Sequence, residues 1–134
     1  MLAVIVAVLL RSVWVFVVIA AAVLAADGIA GIVKLAVGES RPNEPDPLIV
    51  IPHSHSFPSG HTATSFAGAT ALSLVYPRGT PAFFLLAAAI AYSRLYVGVH
   101  FPLDVAGGVV IGVVTALLLL AAARRRSLPG LRRG

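Results

Sequence analysis

The chain has 134 residues, enough for one domain, and is 59% hydrophobic and only 11% charged, where a soluble domain runs near ~25% charged. That balance excludes a water-soluble globular fold. The formal net charge of +5 does not point to nucleic acid, because Arg124, Arg125, Arg126, Arg132 and Arg133 crowd the end of the chain behind a long apolar run, as a juxtamembrane stop does; with no cysteine, disulfides and thiol-bound metals are excluded too.

In chain order, the opening MLAVIVAVLL reads as a short or partial membrane segment. It is not a clean signal peptide, since the first base, Arg11, follows the apolar run instead of preceding it. A span needs about 20 largely apolar residues in a helix, and four stretches approach that length. The first covers residues 12 to about 36, interrupted by Asp27, Gly28 and Gly31. A break over 38–58, rich in proline and charge, precedes the second, over 59–76. The turn YPRGT (76–80) leads to the third, over 81 to about 96, and GVHFP (98–102) opens the fourth, over 99–123. The expected fold is therefore all-α: one domain over 1–134, an integral membrane helical bundle of about four transmembrane helices plus the short N-terminal apolar segment.

Alternating crossings sort the charges onto two faces. One face receives Arg11, Arg78 and the five C-terminal arginines; the other receives Lys34, Arg41 and Arg94 with Glu39, Glu44, Asp46, Asp104 and, deeper in the first helix, Asp27. By the positive-inside rule the arginine-rich face is cytoplasmic. The polar clusters then face outward, as a multi-pass plasma-membrane protein with an extracytoplasmic site.

Three stretches deliver polar residues to that outer face. In KLAVGESRP, Lys34 ends the first helix and Arg41 follows seven residues on; two cations at one spot make an anion site. In FPSGHTATS, Pro58 and Ser59 are expected to start the second helix, so that its free N–H groups and dipole meet the same anion, and Gly60 allows close backbone approach. In SRLYVGVHFPLD, Arg94 ends the third helix, and His100 and Asp104 are expected four apart on one face of the fourth. There the carboxylate can accept from one imidazole nitrogen and leave the other free to attack.

Lys34-x6-Arg41-Pro42, then Pro58-Ser59-Gly60-His61, then Ser93-Arg94-x5-His100-x3-Asp104, in that order, resemble the three motifs of the type 2 phosphatidic acid phosphatase superfamily. The resemblance covers residues from about 12 to 122. It implies a phosphatase without metal or cofactor that works through a phosphohistidine: His100 the nucleophile, Asp104 its orienting carboxylate, and His61 the general acid. Lys34, Arg41, Arg94, the Ser59 hydroxyl and the Gly60 N–H would hold the phosphoryl oxygens. The implied partners are the membrane and a lipid phosphate or diphosphate, with a polyprenyl diphosphate first and phosphatidate or phosphatidylglycerophosphate as alternatives. A non-catalytic lipid-phosphate-binding protein is the reading from another class. Family members commonly have six membrane helices; where four serve, a homo-oligomer would replace the missing packing.

The remaining polar residues read more plainly. His53 and His55 lie in a proline-rich loop without nearby carboxylates or thiols and are expected to be solvated, not metal ligands. Asp27, seven residues before Lys34, is expected to hold Lys34 or Arg94 or to line a wet cavity. Gly107, Gly108 and Gly112 form a small-residue stripe suited to close helix packing.

Overall fold

The computed structural model describes residues 13–42 and 48–127. The expected apolar segment over 1–10, Arg11, Glu44, Asp46 and the side chains of the C-terminal arginines lie outside the described residues. Among the described residues four α-helices follow one another: α1 (Val13–Val37), α2 (Gly60–Val75), α3 (Thr80–Tyr96) and α4 (Pro102–Ser127), with a 3-10 turn over Pro77–Gly79 between α2 and α3. No strand occurs among the described residues.

Two of the helices are long and apolar enough to cross a membrane by themselves, over Phe16–Val37 and Pro102–Ala123. The other two have 16 and 17 residues, about 24 to 26 Å at 1.5 Å per residue, slightly less than the hydrocarbon core of about 30 Å. Their outward surfaces are nonetheless greasy. Leu24 in α1, Leu85 in α3 and Leu118 in α4 are 71%, 73% and 66% exposed. A bundle that is apolar outside as well as inside has a surface matched to lipid, not to water.

α2 is the central helix and packs on each of the other three. Its sequence suits that place, because its buried positions are mostly small: Thr62, Ala63, Ala67, Ala69, Thr70 and Ala71. Small side chains let backbones approach closely, and in lipid that dispersion contact replaces the hydrophobic drive that water supplies. The core joins Ile19, Ala22 and Ala26 of α1 to Ala67, Ala71 and Leu72 of α2 and Ala116 and Leu120 of α4, and Phe66 meets Phe84 of α3 edge to face at 5.9 Å. The hydroxyls on α2 find acceptors one turn back: Ser65 donates to the His61 carbonyl, Thr70 to that of Phe66, and Ser73 to that of Ala69, so none needs water.

The glycine stripe on α4 explains how closely α2 and α4 approach. A Cβ at Gly112 would stand 2.3 Å from the Ala63 carbonyl oxygen, and one at Gly108 would stand 2.6 Å from that of Ser59. Both obstacles are backbone and cannot step aside. Gly107 faces the Phe57 ring and Pro58, beyond the cis Phe57–Pro58 peptide.

Two helix starts differ from the sequence expectation. α2 begins at Gly60, with Ser59 as its N-cap and Pro58 outside the helix; a capping serine holds extended backbone angles, here φ −71° and ψ 110°. α4 begins at Pro102 instead of residue 99, because a residue preceding proline avoids helical angles while proline itself fits the first turn. His100 therefore sits in the turn before α4, and only Asp104 is helical.

Gly112→Ala should cost about 1–3 kcal/mol by forcing α2 from α4, despite the better helix propensity of alanine. Gly28→Ala, where nothing stands within 4 Å of the added carbon, should be neutral or stabilising by up to about 1 kcal/mol. Thermal melts of both variants in detergent check the contrast, and equal melting temperatures would refute the packing argument.

Candidate active site

The ends of α1 and α3 meet the starts of α2 and α4 at one end of the bundle, and the connecting segments fold over that end. Each of the two helices that deliver a cation stops at a glycine turn. Gly38 adopts φ +66° and closes α1 by donating its N–H to the Lys34 carbonyl; Gly98, at φ +72°, closes α3 by donating to that of Leu95. Left-handed angles of this kind suit glycine. They turn the chain back sharply, leaving Lys34 and Arg94 in the last turns of their helices and sending the segments with Arg41 and His100 across the site.

His100 lies at its centre, 6% exposed, with Asp104 fully buried beside it. The i, i+4 pairing survives although His100 is not helical: Nδ1 is 3.1 Å from Asp104 Oδ2. The same oxygen accepts the Phe101 N–H at 2.8 Å and the Ser56 hydroxyl. With Nδ1 donating to a carboxylate, the proton of a neutral ring resides there and the Nε2 lone pair is free. That lone pair faces Arg41, whose Nη1 stands 3.3 Å away.

Arg41 is braced on every side. Nη1 also donates to the Val99 carbonyl at 2.8 Å, Nε to the Ser54 carbonyl at 2.8 Å, and Nη2 to Ser54 Oγ at 3.0 Å. Lys34 Nζ donates to the carbonyls of His55 at 2.8 Å and Ser56 at 3.1 Å. Arg94 donates through Nε to Ser93 Oγ at 3.2 Å. Lys34, Arg41, Arg94 and Asp27 all lie within electrostatic reach of His61, whose imidazole is exposed one residue inside α2.

Ser59 and Gly60 complete the arrangement. Ser59 is fully buried; its N–H donates to the Asp104 carbonyl at 2.9 Å and its Oγ accepts from the Thr62 hydroxyl at 3.0 Å, which leaves its own proton to donate. The Gly60 N–H belongs to the first helical turn, whose donors have no intrahelical acceptor. A Cβ at Gly60 would meet nothing nearer than Asp27 Oδ1 at 3.8 Å, so the chain's own packing does not demand glycine there.

Burial is the main cause that pushes the His100 pKa down from its ordinary 6.5 to about 4; the Asp104 hydrogen bond opposes it, and the charges of Arg41 and Lys34 reinforce it. Arg41 is lowered by burial as well, with the Asp104 charge acting the other way, but a guanidinium keeps its proton throughout. The site thus holds a neutral imidazole surrounded by fixed positive charge.

Hydrogen bonds join Lys34, Arg41, Ser59, His100 and Asp104 into one cluster through the segment before α2, with Gly60 next to Ser59 and with His61 and Arg94 within electrostatic reach of one another, and other residues emerge that the sequence does not reveal. Ser56 and Ser54, with the carbonyls of His55 and Val99, fix the cations and the carboxylate. Asp27 makes no hydrogen bond to Lys34 or Arg94 among the described residues, contrary to one expectation; Lys34 uses main-chain carbonyls instead. His53 and His55 are exposed, and the loop's contribution to the site is its backbone and its serines.

Fold and site together define a membrane-type helical bundle whose polar end gathers cations around an imidazole oriented by a carboxylate. Residues 11–128 match the PAP2 superfamily, and the chain belongs to it. It is 42% identical over 62 residues to an undecaprenyl-diphosphatase of Sulfolobus acidocaldarius, covering 46% of this chain and 30% of that protein. It is 39% identical over 85 residues to a decaprenylphosphoryl-5-phosphoribose phosphatase of Mycolicibacterium smegmatis, covering 62% and 46%. The crystal structure of Aquifex aeolicus LpxE superposes with a TM-score of 0.62 at 31% identity, over 78% of this chain and 66% of that one. The chain thus spans less than half the length of these two curated relatives.

Because the folded protein resists a proton that the unfolded chain accepts, His100 should stay neutral until the pH approaches 4, and stability should fall as the pH drops from about 6.5 toward that value. Nitrogen-15 NMR of histidine-labelled protein, with His100 assigned by mutation, should show a ring protonated on Nδ1 alone down to about pH 5; a titration midpoint at 6 or above would contradict the environment described.

Proposed function

We propose that this chain is a membrane lipid phosphatase that hydrolyses a polyprenyl diphosphate through a phosphohistidine, with four membrane-spanning helices and its site at the extracytoplasmic boundary. The observation that carries the reading is the ordered line from Asp104 through His100 to Arg41. A carboxylate fixes one ring nitrogen at 3.1 Å, and a guanidinium stands 3.3 Å from the other. Phosphoryl transfer asks a protein chiefly for positioning and charge compensation, and this line supplies both.

In the first step the Nε2 lone pair attacks phosphorus. An N–P bond forms as the P–O bond to the lipid side breaks, and His61 gives its proton to the departing oxygen. The positive charge that develops on the imidazole is stabilised by Asp104. In the second step water attacks the same phosphorus, passing a proton to His61; the N–P bond breaks, its electron pair returns to Nε2, and inorganic phosphate leaves. Arg41 Nη1 would exchange its place at Nε2 for a phosphoryl oxygen. Lys34, Arg94, the Ser59 hydroxyl and the Gly60 N–H would take the others.

Support for a polyprenyl carrier comes from the names of the two curated relatives, one acting on undecaprenyl diphosphate and the other on a decaprenyl-linked phosphate. The lipid-matched exterior and the gathering of the polar residues at one end of the bundle agree with a substrate whose headgroup lies at the interface and whose tail stays in the bilayer. The outward orientation rests on the positive-inside rule: Arg78 lies in the 3-10 turn, at the opposite end from the site.

Phosphate release measured on undecaprenyl diphosphate, phosphatidate and phosphatidylglycerophosphate should be fastest with the first, should persist in EDTA, and should be inhibited by vanadate. His100→Ala should lower it about 10³-fold or more. Undiminished release by that variant would reject the mechanism, lipid binding without turnover by the unmodified chain would reject the enzyme, and a different ranking of lipids would reject the carrier.

A further inference from the structure

Ser56 belongs to no motif, yet it is fully buried and bonded in several directions at the centre of the site. Its hydroxyl donates to Asp104 Oδ2 and lies 3.5 Å from His100 Nδ1. Its N–H donates to the Glu39 carbonyl at 2.7 Å, and its own carbonyl accepts from Lys34 Nζ at 3.1 Å.

The two oxygens of a carboxylate are equivalent and its last torsion is broad, so something must fix the angle at which one oxygen stays on the imidazole nitrogen. Two of the three donors to Asp104 Oδ2, His100 Nδ1 and the Phe101 N–H, come from the residues just before it in the chain and move with it. Ser56 is 48 residues away and belongs to the segment that also holds Lys34. Oδ1 is buried and finds no donor among the described residues. Among the described residues, only Ser56 therefore ties the carboxylate to a separate part of the structure.

We propose that Ser56 is a positioning residue for the nucleophile. Its hydroxyl fixes the torsion of the Asp104 carboxylate so that one oxygen stays on His100 Nδ1, which keeps the ring proton on Nδ1 and the lone pair on Nε2, while its backbone carbonyl sets Lys34 in register with that ring. The inference rests on the reading of His100 as nucleophile. One residue thereby couples the group that attacks to a cation that would hold the phosphoryl oxygens.

The two roles separate in a mutant, because alanine removes the hydroxyl and keeps the carbonyl. In the full chain in detergent, with undecaprenyl diphosphate as substrate, Ser56→Ala should lower kcat about 10- to 100-fold, the size expected for losing one hydrogen bond to a buried charged acceptor. KM and inhibition by orthovanadate should stay within about twofold, since Lys34 keeps its partner. Nitrogen-15 NMR should show the His100 proton shared between Nδ1 and Nε2 instead of fixed on Nδ1. Ser56→Cys, close in size and a weaker donor, should give an intermediate kcat; it also decides the matter if the alanine variant does not fold, an unchanged kcat then overturning the proposal. An unchanged kcat in Ser56→Ala, or a loss of activity with the His100 tautomer unaltered, would equally overturn it. If His100→Ala retained full activity, the nucleophile assignment itself would fail, whatever Ser56 does.

Discussion

The arrangement of the polar end depends on a single carboxylate. Asp104 sits in the first turn of α4 and its Oδ2 accepts from three donors, His100 Nδ1, the Phe101 N–H and the Ser56 hydroxyl, while its main-chain carbonyl accepts the N–H of Ser59, the cap of α2. The same residue thus sets the imidazole, anchors the loop before α2 and fixes the start of α2 against the start of α4. A fully buried carboxylate is expensive unless its bonds are made. Here those bonds are also what gives His100 a defined orientation.

Close packing of α2 on α4 makes the convergence possible. Gly108 lies against the Ser59 carbonyl and Gly112 against that of Ala63, so the close approach begins about one turn beyond Asp104 and runs past the second. Were these positions alanines, the helices would separate and the Ser59 to Asp104 hydrogen bond would lengthen. The glycine stripe and the polar site are therefore one device: the first brings two helix starts together, and the second occupies the place where they meet.

Much of this was legible in the sequence, and the missing parts have identifiable reasons. The helical class followed from composition and from the spacing of apolar runs. The residues that gather at the site followed from three motifs at segment ends, because a cation or histidine that closes or opens a membrane helix must lie at one of its two faces. The i, i+4 spacing of His100 and Asp104 suggests a shared helix and an earlier start for α4 than Pro102; Phe101 before Pro102 carries the contrary signal, since a residue preceding proline avoids helical angles. Ser56 was hidden by its surroundings. In HSHSFPSGHTAT several polar residues crowd together, and nothing in a linear sequence tells which hydroxyl turns inward. Ser54 and the carbonyls of His55 and Val99 were beyond reach for a related reason: main-chain acceptors have no sequence signature.

The way the cations are held bears directly on what the site can do. Lys34 bonds to two main-chain carbonyls, Arg41 to two carbonyls and a serine hydroxyl, and Arg94 to a serine hydroxyl. Among the described residues none of the three makes an ion pair. Neutral acceptors fix a guanidinium or ammonium in place without cancelling its charge, whereas a carboxylate partner would do both. Near a low-dielectric membrane, uncancelled charge acts strongly and over some distance. The positive potential therefore remains available to an incoming anion, and it simultaneously helps keep His100 unprotonated, so the same charges that would draw a phosphate in also preserve the lone pair that would attack it.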